Sequence, residues 1–279
     1  MCIRDRLTIL QAIILGIVQG LTEFLPISST AHLRIVPAFF GWTDPGAAFT
    51  AVVQLGTMAA VLLFFWRDLL RILGAWFRAL FRPEPRGTLD ARLGWYLVYG
   101  TVPIAVLGLV FKNQIETGAR DLRIIGWVLV LFGIVLWLVD RAFPQHRTIA
   151  DLTLRDGLLY GLAQSLALIP GVSRSGATIT AGRSLSYTRE DAARFSFLLS
   201  VPAVVLSGLF ELRKVGGDGG PAWGPTIVAT IVAFVVGYAA IAWLLRWLTS
   251  HSMAVFAIYR VALGALVLAL VYAGHLAAT

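Results

Sequence analysis

Residues 19–32 (QGLTEFLPISSTAH) and 164–178 (QSLALIPGVSRSGAT) set carboxylate, hydroxyl, imidazole and guanidinium groups into a chain that is otherwise apolar around them. Between them they hold the parts of a site for an anion. Glu23 is a carboxylate able to take a proton or bind a cation. Ser28, Ser29 and Thr30 carry hydroxyls that can cap a helix, bind an oxyanion or attack phosphorus. His32 offers an imidazole that can accept a proton. Arg174 is a planar fork of donors matched to phosphate or carboxylate oxygens. Aligning Gln19 with Gln164 puts Ser28 opposite Ser173, Ser29 opposite Arg174 and Thr30 opposite Ser175. The two segments read as one device built twice.

Each side chain also has a plainer use. Gln19 and Glu23 are four apart and share a helix face. A carboxylate at bilayer depth costs about 2.5–3.5 kcal/mol, so Glu23 needs a cation, a metal, water or Arg174 to offset it. Pro26 interrupts the helix ladder, and a hydroxyl among Ser28, Ser29 and Thr30 can cap the half-helix that follows. A capped start points free N–H groups and a positive dipole at the break, which suits phosphate. One cap needs one hydroxyl, so the run leaves a spare. Pro170, Gly171, Ser173, Arg174, Ser175 and Gly176 repeat the pattern. Arg174 is also the natural structural partner of Glu23, a pair that would open for an anionic ligand. His32 stands one turn past Ser29 and is either a satisfied core residue or the base that makes Ser29 a nucleophile. Gln54, in QLGT, either lines the site or bonds a neighbouring helix.

The elements that must place these residues follow from hydropathy. Six apolar stretches are long enough to cross a bilayer: 46–66, 94–112, 124–140, 195–212, 225–248 and 254–275. The stretches 7–40 and 154–182 each hold a Pro in mid-run beside polar residues. Irregular backbone at membrane depth survives only inside protein or beside a wet cavity. Both are therefore expected to be re-entrant helix hairpins, with an ordinary kinked span as the alternative. The order hairpin, three spans, hairpin, three spans implies that the second copy enters the membrane inverted. This predicts one all-α membrane domain over residues 1–279, with repeat 1 at about 7–140 and repeat 2 at about 154–275. Residues 1–6 (MCIRDR) read as a translated sequencing adapter and are set aside.

Composition agrees. Of 279 residues 58% are hydrophobic and 14% charged, and the mean hydropathy is +0.80. That much apolar surface needs a bilayer as solvent. The net charge of +8 sits mostly in loops and reads as orientation and attraction to anionic lipid, with no nucleic acid involved. A single cysteine, Cys2, excludes a disulfide framework within the chain. Arg67, Arg71, Arg78, Arg82, Arg86 and Arg92 make 67–93 the densest positive loop, which places it in the cytoplasm. Arg141, Arg147, Arg155, Arg183, Arg189, Arg194 and Arg246 then lie on the same side. Arg34, Lys112, Arg120, Arg123, Arg213 and Lys214 lie outside, and the first hairpin dips in from the external face.

The stretches QGLTEFLPISSTAHL and PGVSRSGAT closely resemble the undecaprenyl-diphosphate phosphatase family of bacteria, the bacitracin-resistance type. The likeness covers the chain in length, element order and both motifs. The family's Glu/Gln-x-x-x-Glu motif falls on Gln19 and Glu23, so the first position holds an amide where a second carboxylate could stand. Ser-Ser-Thr-x-His falls on Ser28, Ser29, Thr30 and His32. Pro-Gly-x-Ser-Arg-Ser-x-x-Thr falls on Pro170, Gly171, Ser173, Arg174, Ser175 and Thr178.

What the resemblance implies is hydrolysis of undecaprenyl diphosphate to the monophosphate carrier and inorganic phosphate, in the bacterial inner membrane, for cell-wall synthesis. On that reading the partners are the prenyl diphosphate and membrane lipid, a homodimer is compatible with the pattern, and the site opens to the external face. Arg174, Ser173 and backbone N–H groups would hold the β-phosphate. Ser29 would attack while His32 or Glu23 takes its proton. Mg²⁺ or Ca²⁺ would bridge Glu23 and the diphosphate. A metal-activated water is the rival nucleophile. Inverted repeats with broken helices are also transporter architecture, so a prenyl-phosphate carrier that breaks no bond is the alternative function.

Overall fold

The structure is a computed structural model that describes residues 7–82, 87–111, 121–211 and 222–278. Residues 1–6 and the cations Arg86, Lys112, Arg120, Arg213 and Lys214 of the orientation argument lie outside the described residues. The described chain forms eleven α-helices: α1 Ile9–Phe24, α2 Ser29–Phe40, α3 Gly46–Phe64, α4 Trp66–Phe81, α5 Leu89–Val110, α6 Leu122–Ala142, α7 Leu154–Ser165, α8 Arg174–Ser184, α9 Arg189–Glu211, α10 Trp223–Leu248 and α11 Ala254–Tyr272. No strand occurs among the described residues. The only β-type pairing there is an isolated bridge between Arg147 and Tyr187.

Both stretches expected to be broken helices are broken. Thr8 and Gln11 form a capping box at the start of α1, and Thr153 and Asp156 form one at the start of α7. Leu25, before Pro26, is extended, as is Ile169 before Pro170, because the proline ring disfavours helical backbone in the residue preceding it. A 3₁₀ turn at Leu166–Leu168 intervenes in the second copy alone. After each break a serine with positive φ caps the new helix: Ser28 (φ 76°) for α2 and Ser173 (φ 71°) for α8. Positive φ on a side-chain-bearing residue costs about 1–3 kcal/mol and persists only where the surroundings fix it.

α5, α6, α10 and α11 are long and apolar enough to cross a membrane. α3 and α4 pass the same test as a pair but bend by 77° between them, which makes up to five spans. The stretch expected at 195–212 overlaps α9, which runs Arg189–Glu211 and is not among the described helices that pass that test; residue 212 lies outside the described residues. One expectation is corrected. The segment 67–93 is not simply a loop, because α4 occupies most of it. Ile72, Ala75 and Ala79 recur at helical spacing and bury one face, while Leu70, Leu73, Phe77 and Phe81 remain exposed beside Arg67, Arg71 and Arg78. Such a helix suits a membrane surface, and positive charge alone concealed its periodicity.

The halves interlock. α1 packs chiefly on α10 and α7 on α5, while α3 lies against α9 and α6 against α11. Gly16 on α1 meets Ala229, where a Cβ would stand 2.6 Å from the backbone oxygen, and Gly161 on α7 meets Gly100 just as closely. A polar knot anchors the far end of α8. Asp140 accepts from Arg183 Nε at 3.0 Å, Arg189 Nε at 2.8 Å and the Met253 amide at 3.0 Å, joining the ends of α6, α8, α9 and α11. Beside it Arg147 pairs with Asp156 at 2.6 Å, a contact that raises the Arg147 pKa above its ordinary value.

Candidate active site

The two breaks meet. Glu23, on the last turn of α1, forms an ion pair with Arg174, the first residue of α8. Burial leaves the Glu23 side chain 3% exposed and that of Arg174 14%, so neither charge has bulk water to stabilise it. Their separation by 151 residues makes the pair a product of tertiary packing. The second Glu23 oxygen, Oε2, accepts from Gln19 Nε2 at 2.8 Å, from Ser29 Oγ at 2.6 Å and from Gln54 Nε2 at 3.3 Å. Gln54 therefore lines the site from α3.

Ser29 and His32 do not meet as one reading of the sequence expected. Ser29 Oγ donates to Glu23. His32 Nδ1 lies 2.7 Å from the Ser28 carbonyl oxygen, which can only accept, so Nδ1 carries the proton. Nε2 then accepts from the Tyr259 hydroxyl at 2.7 Å, and the two rings stack 8° from parallel. The physical reason is local. The break leaves the Ser28 carbonyl at the start of α2, and the imidazole one turn on reaches back to it. The base facing Ser29 in this arrangement is Glu23. Replacing Tyr259 by Phe leaves the His32 Nε2 lone pair without its donor. The expected result is a loss of about 1 kcal/mol of stability, read as a lower thermal midpoint in detergent; an unchanged midpoint contradicts the bond.

The remaining hydroxyls divide into caps and ties. Ser28 Oγ accepts from the Ala31 amide at 3.4 Å and Ser173 Oγ from the Gly176 amide at 3.1 Å. Ser175 Oγ lies 3.1 Å from Ser173 Oγ and donates across the breaks to the Leu25 carbonyl at 3.0 Å. Thr178 is fully buried, donates to the Arg174 carbonyl at 2.7 Å and meets Ser196 at 2.5 Å, which occupies it inside α8 and α9. Thr30 is partly buried at the start of α2. The amides of Ser29, Thr30, Arg174 and Ser175 have no acceptor among the described residues. Two helix starts therefore present unpaired N–H groups beside a guanidinium, a carboxylate and a spare serine. Such an arrangement can bind an oxyanion and move a proton from Ser29 to Glu23.

Sequence reasoning missed two residues of this site, Tyr259 and Arg260, which α11 brings in. Arg260 is 1% exposed. A charged residue inside the apolar run AVFAIYRVALGALVLALVY is itself a signal of function, since intramembrane cations need a partner.

Comparison with known proteins extends over nearly the whole chain. Residues 12–266 match the family model of the bacitracin resistance protein BacA. A Nocardioides protein named undecaprenyl-diphosphatase is 60% identical over 270 residues, covering 96% of this chain and 98% of that protein. A Thermobifida fusca protein of the same name is 56% identical over 270 residues, with 97% and 92% covered. One from Myxococcus xanthus is 53% identical over 275 residues, with 97% and 91% covered.

Proposed function

The chain belongs to the bacitracin resistance protein BacA family, and we propose that it removes the terminal phosphate of undecaprenyl diphosphate as a multi-pass membrane phosphatase. The observation that carries the reading at the level of chemistry is the Glu23 carboxylate, which faces Ser29 on one oxygen and Arg174 on the other. Helix-start amides also suit a carrier that breaks no bond; the serine hydroxyl that donates to a buried carboxylate is the feature that serves bond cleavage.

The arriving β-phosphate draws the Arg174 fork from Glu23 and settles on the amides of Ser29, Thr30, Arg174 and Ser175. Ser29 Oγ attacks the β-phosphorus and its proton passes to Glu23. The bond to the bridging oxygen breaks, and undecaprenyl phosphate leaves with that electron pair. Glu23 gives its proton to the departing oxygen. Water then attacks the phosphoserine, Glu23 takes a proton from it, and Ser29 Oγ leaves and is reprotonated as inorganic phosphate forms. Arg174 and the amides stabilise the charge that develops on the equatorial oxygens.

A divalent cation fits the donor set. Gln19 is fully buried, its Oε1 has no hydrogen-bond partner among the described residues, and it stands beside Glu23. These are the hard oxygen ligands that Mg²⁺ or Ca²⁺ prefers, with phosphate and water completing the shell. Among the described residues no cluster of three acidic, His or Cys side chains exists, so the protein would supply few ligands. When bound, the cation would neutralise diphosphate charge and act as a Lewis acid.

The proposed architecture is six spans and two re-entrant hairpins in inverted repeats, in the bacterial inner membrane, with the site open to the external face. Its support is the matched pair of positive-φ serine caps, the matched glycines Gly16 and Gly161, and main pairings that map onto one another on exchange of the halves, α1 on α10 with α7 on α5, α3 on α9 and α6 on α11. The test of function is phosphate release from undecaprenyl diphosphate by purified protein. Wild type is expected to release phosphate, to lose most of that activity in chelator and to regain it with added Mg²⁺ or Ca²⁺. Lipid flipping without phosphate release would overturn the reading.

A further inference from the structure

We infer that Arg260 is a positioning residue of the phosphatase site, holding both chain breaks in register and aiming the Ser173 amide. The inference rests on the phosphatase reading above and assigns a task to a side chain that makes no contact with Glu23 or Arg174 among the described residues. Arg260 Nη1 donates to the Pro26 carbonyl of the first break at 3.1 Å. Nη2 donates to the Gly171 and Val172 carbonyls of the second break at 2.9 Å and 3.0 Å. One planar fork thus spans two segments that lie far apart in the chain.

The setting makes this more than a local repair. Arg260 forms no ion pair with any described carboxylate. Burying a guanidinium that way is costly, and the three carbonyl dipoles offset only part of the cost. Its Nε has no hydrogen-bond partner among the described residues. Gly176 leaves the guanidinium its room, since a Cβ there would stand 2.7 Å from Nη1. The carbonyl of Val172 and the amide of Ser173 belong to one planar trans peptide, in which C=O and N–H point in opposite directions. With Val172 oxygen held by Arg260, the Ser173 N–H is directed away from it. That amide has no acceptor among the described residues, and it precedes Arg174. Ser173 sits at φ 71° and Gly171 at φ 91°, backbone states that need an outside hold. Arg260 supplies that hold, and the result is one more fixed donor for a phosphoryl oxygen.

The test compares Arg260→Lys with wild type, reading kcat, KM and thermal midpoint on undecaprenyl diphosphate. An ammonium keeps the charge but cannot hold carbonyls of both breaks in one plane. The expected result is kcat lower by about 10- to 100-fold with KM within about threefold. A lower midpoint with kcat per folded molecule unchanged means a merely structural role and overturns the inference. No phosphate release by wild type overturns the phosphatase reading itself, and this inference with it. Should Arg260→Lys not be recovered folded, Gly176→Ala presses on Nη1 at 2.7 Å and on Ser173 Cβ at 3.0 Å, the two ends of the proposed hold, without removing the charge. There a fall in kcat at constant KM supports the assignment, and an unchanged kcat overturns it.

Discussion

Arg174→Lys is expected to lower kcat/KM by about 10²–10³-fold while the protein inserts and purifies normally. The substitution keeps a cation opposite Glu23, so the buried carboxylate retains its counter-charge and folding is spared. Arg174→Ala is a poorer test of chemistry, because removing one partner of a buried pair costs about 3–5 kcal/mol in stability alone. Lysine loses the planar fork. A guanidinium can bridge two oxygens of a phosphoryl group, and it can exchange a carboxylate for a phosphate without turning far. An ammonium at the same depth offers a point charge that stays with Glu23. A steady-state assay of phosphate release in detergent checks this. Activity within threefold of wild type would show that charge alone suffices and that the fork has no part in the transition state.

Much of the site was legible because bilayer depth makes polar residues costly. Glu23, Arg174 and the serine runs stand out against apolar neighbours, and Pro26 and Pro170 mark where the backbone has to leave the helix. Pairing with Arg174 is one of the offsets that a carboxylate at Glu23 allows at that depth, and it is the one the structure contains. Other features were hidden for definite reasons. The neighbours of His32 in sequence point to Ser29, but the Ser28 carbonyl, which already accepts the His32 amide at the start of α2, also takes Nδ1, and α11 brings Tyr259 to Nε2. No spacing between residues 32 and 259 announces that contact. Arg260 stands alone inside a long hydrophobic run, where its charge reads as an interruption of a span. The arginines of α4 give it the charge of a connecting loop, and they mask the helical period of Ile72, Ala75 and Ala79. The Ser173 hydroxyl caps α8 and the Ser175 hydroxyl ties the two breaks together, contacts that no spacing in the sequence announces.

Glu23→Gln is expected to lower turnover by about 10³-fold, with Ser29→Ala falling by a similar factor. Glutamine matches the shape of glutamate and can keep its oxygen on Gln19 and Gln54. Its NH2 then faces a buried Arg174 left without a counter-charge, so stability falls by about 3–5 kcal/mol and turnover is read per folded molecule. What the substitution removes is the proton acceptor for Ser29 and the anionic ligand for a cation. The informative measurement is the double variant. Ser29 Oγ and Glu23 Oε2 stand 2.6 Å apart, and groups that act as one catalytic unit do not lose activity additively. If Ser29 is the nucleophile and Glu23 its base, the double variant is no slower than the worse single one. If the two losses multiply, each residue serves a separate step. Turnover near wild type in Ser29→Ala alone would remove the serine from the chemistry and leave Glu23 to activate water. Rapid acid quench of wild type adds a direct reading, because the covalent route requires phosphoserine at position 29 during turnover and the water route never forms it.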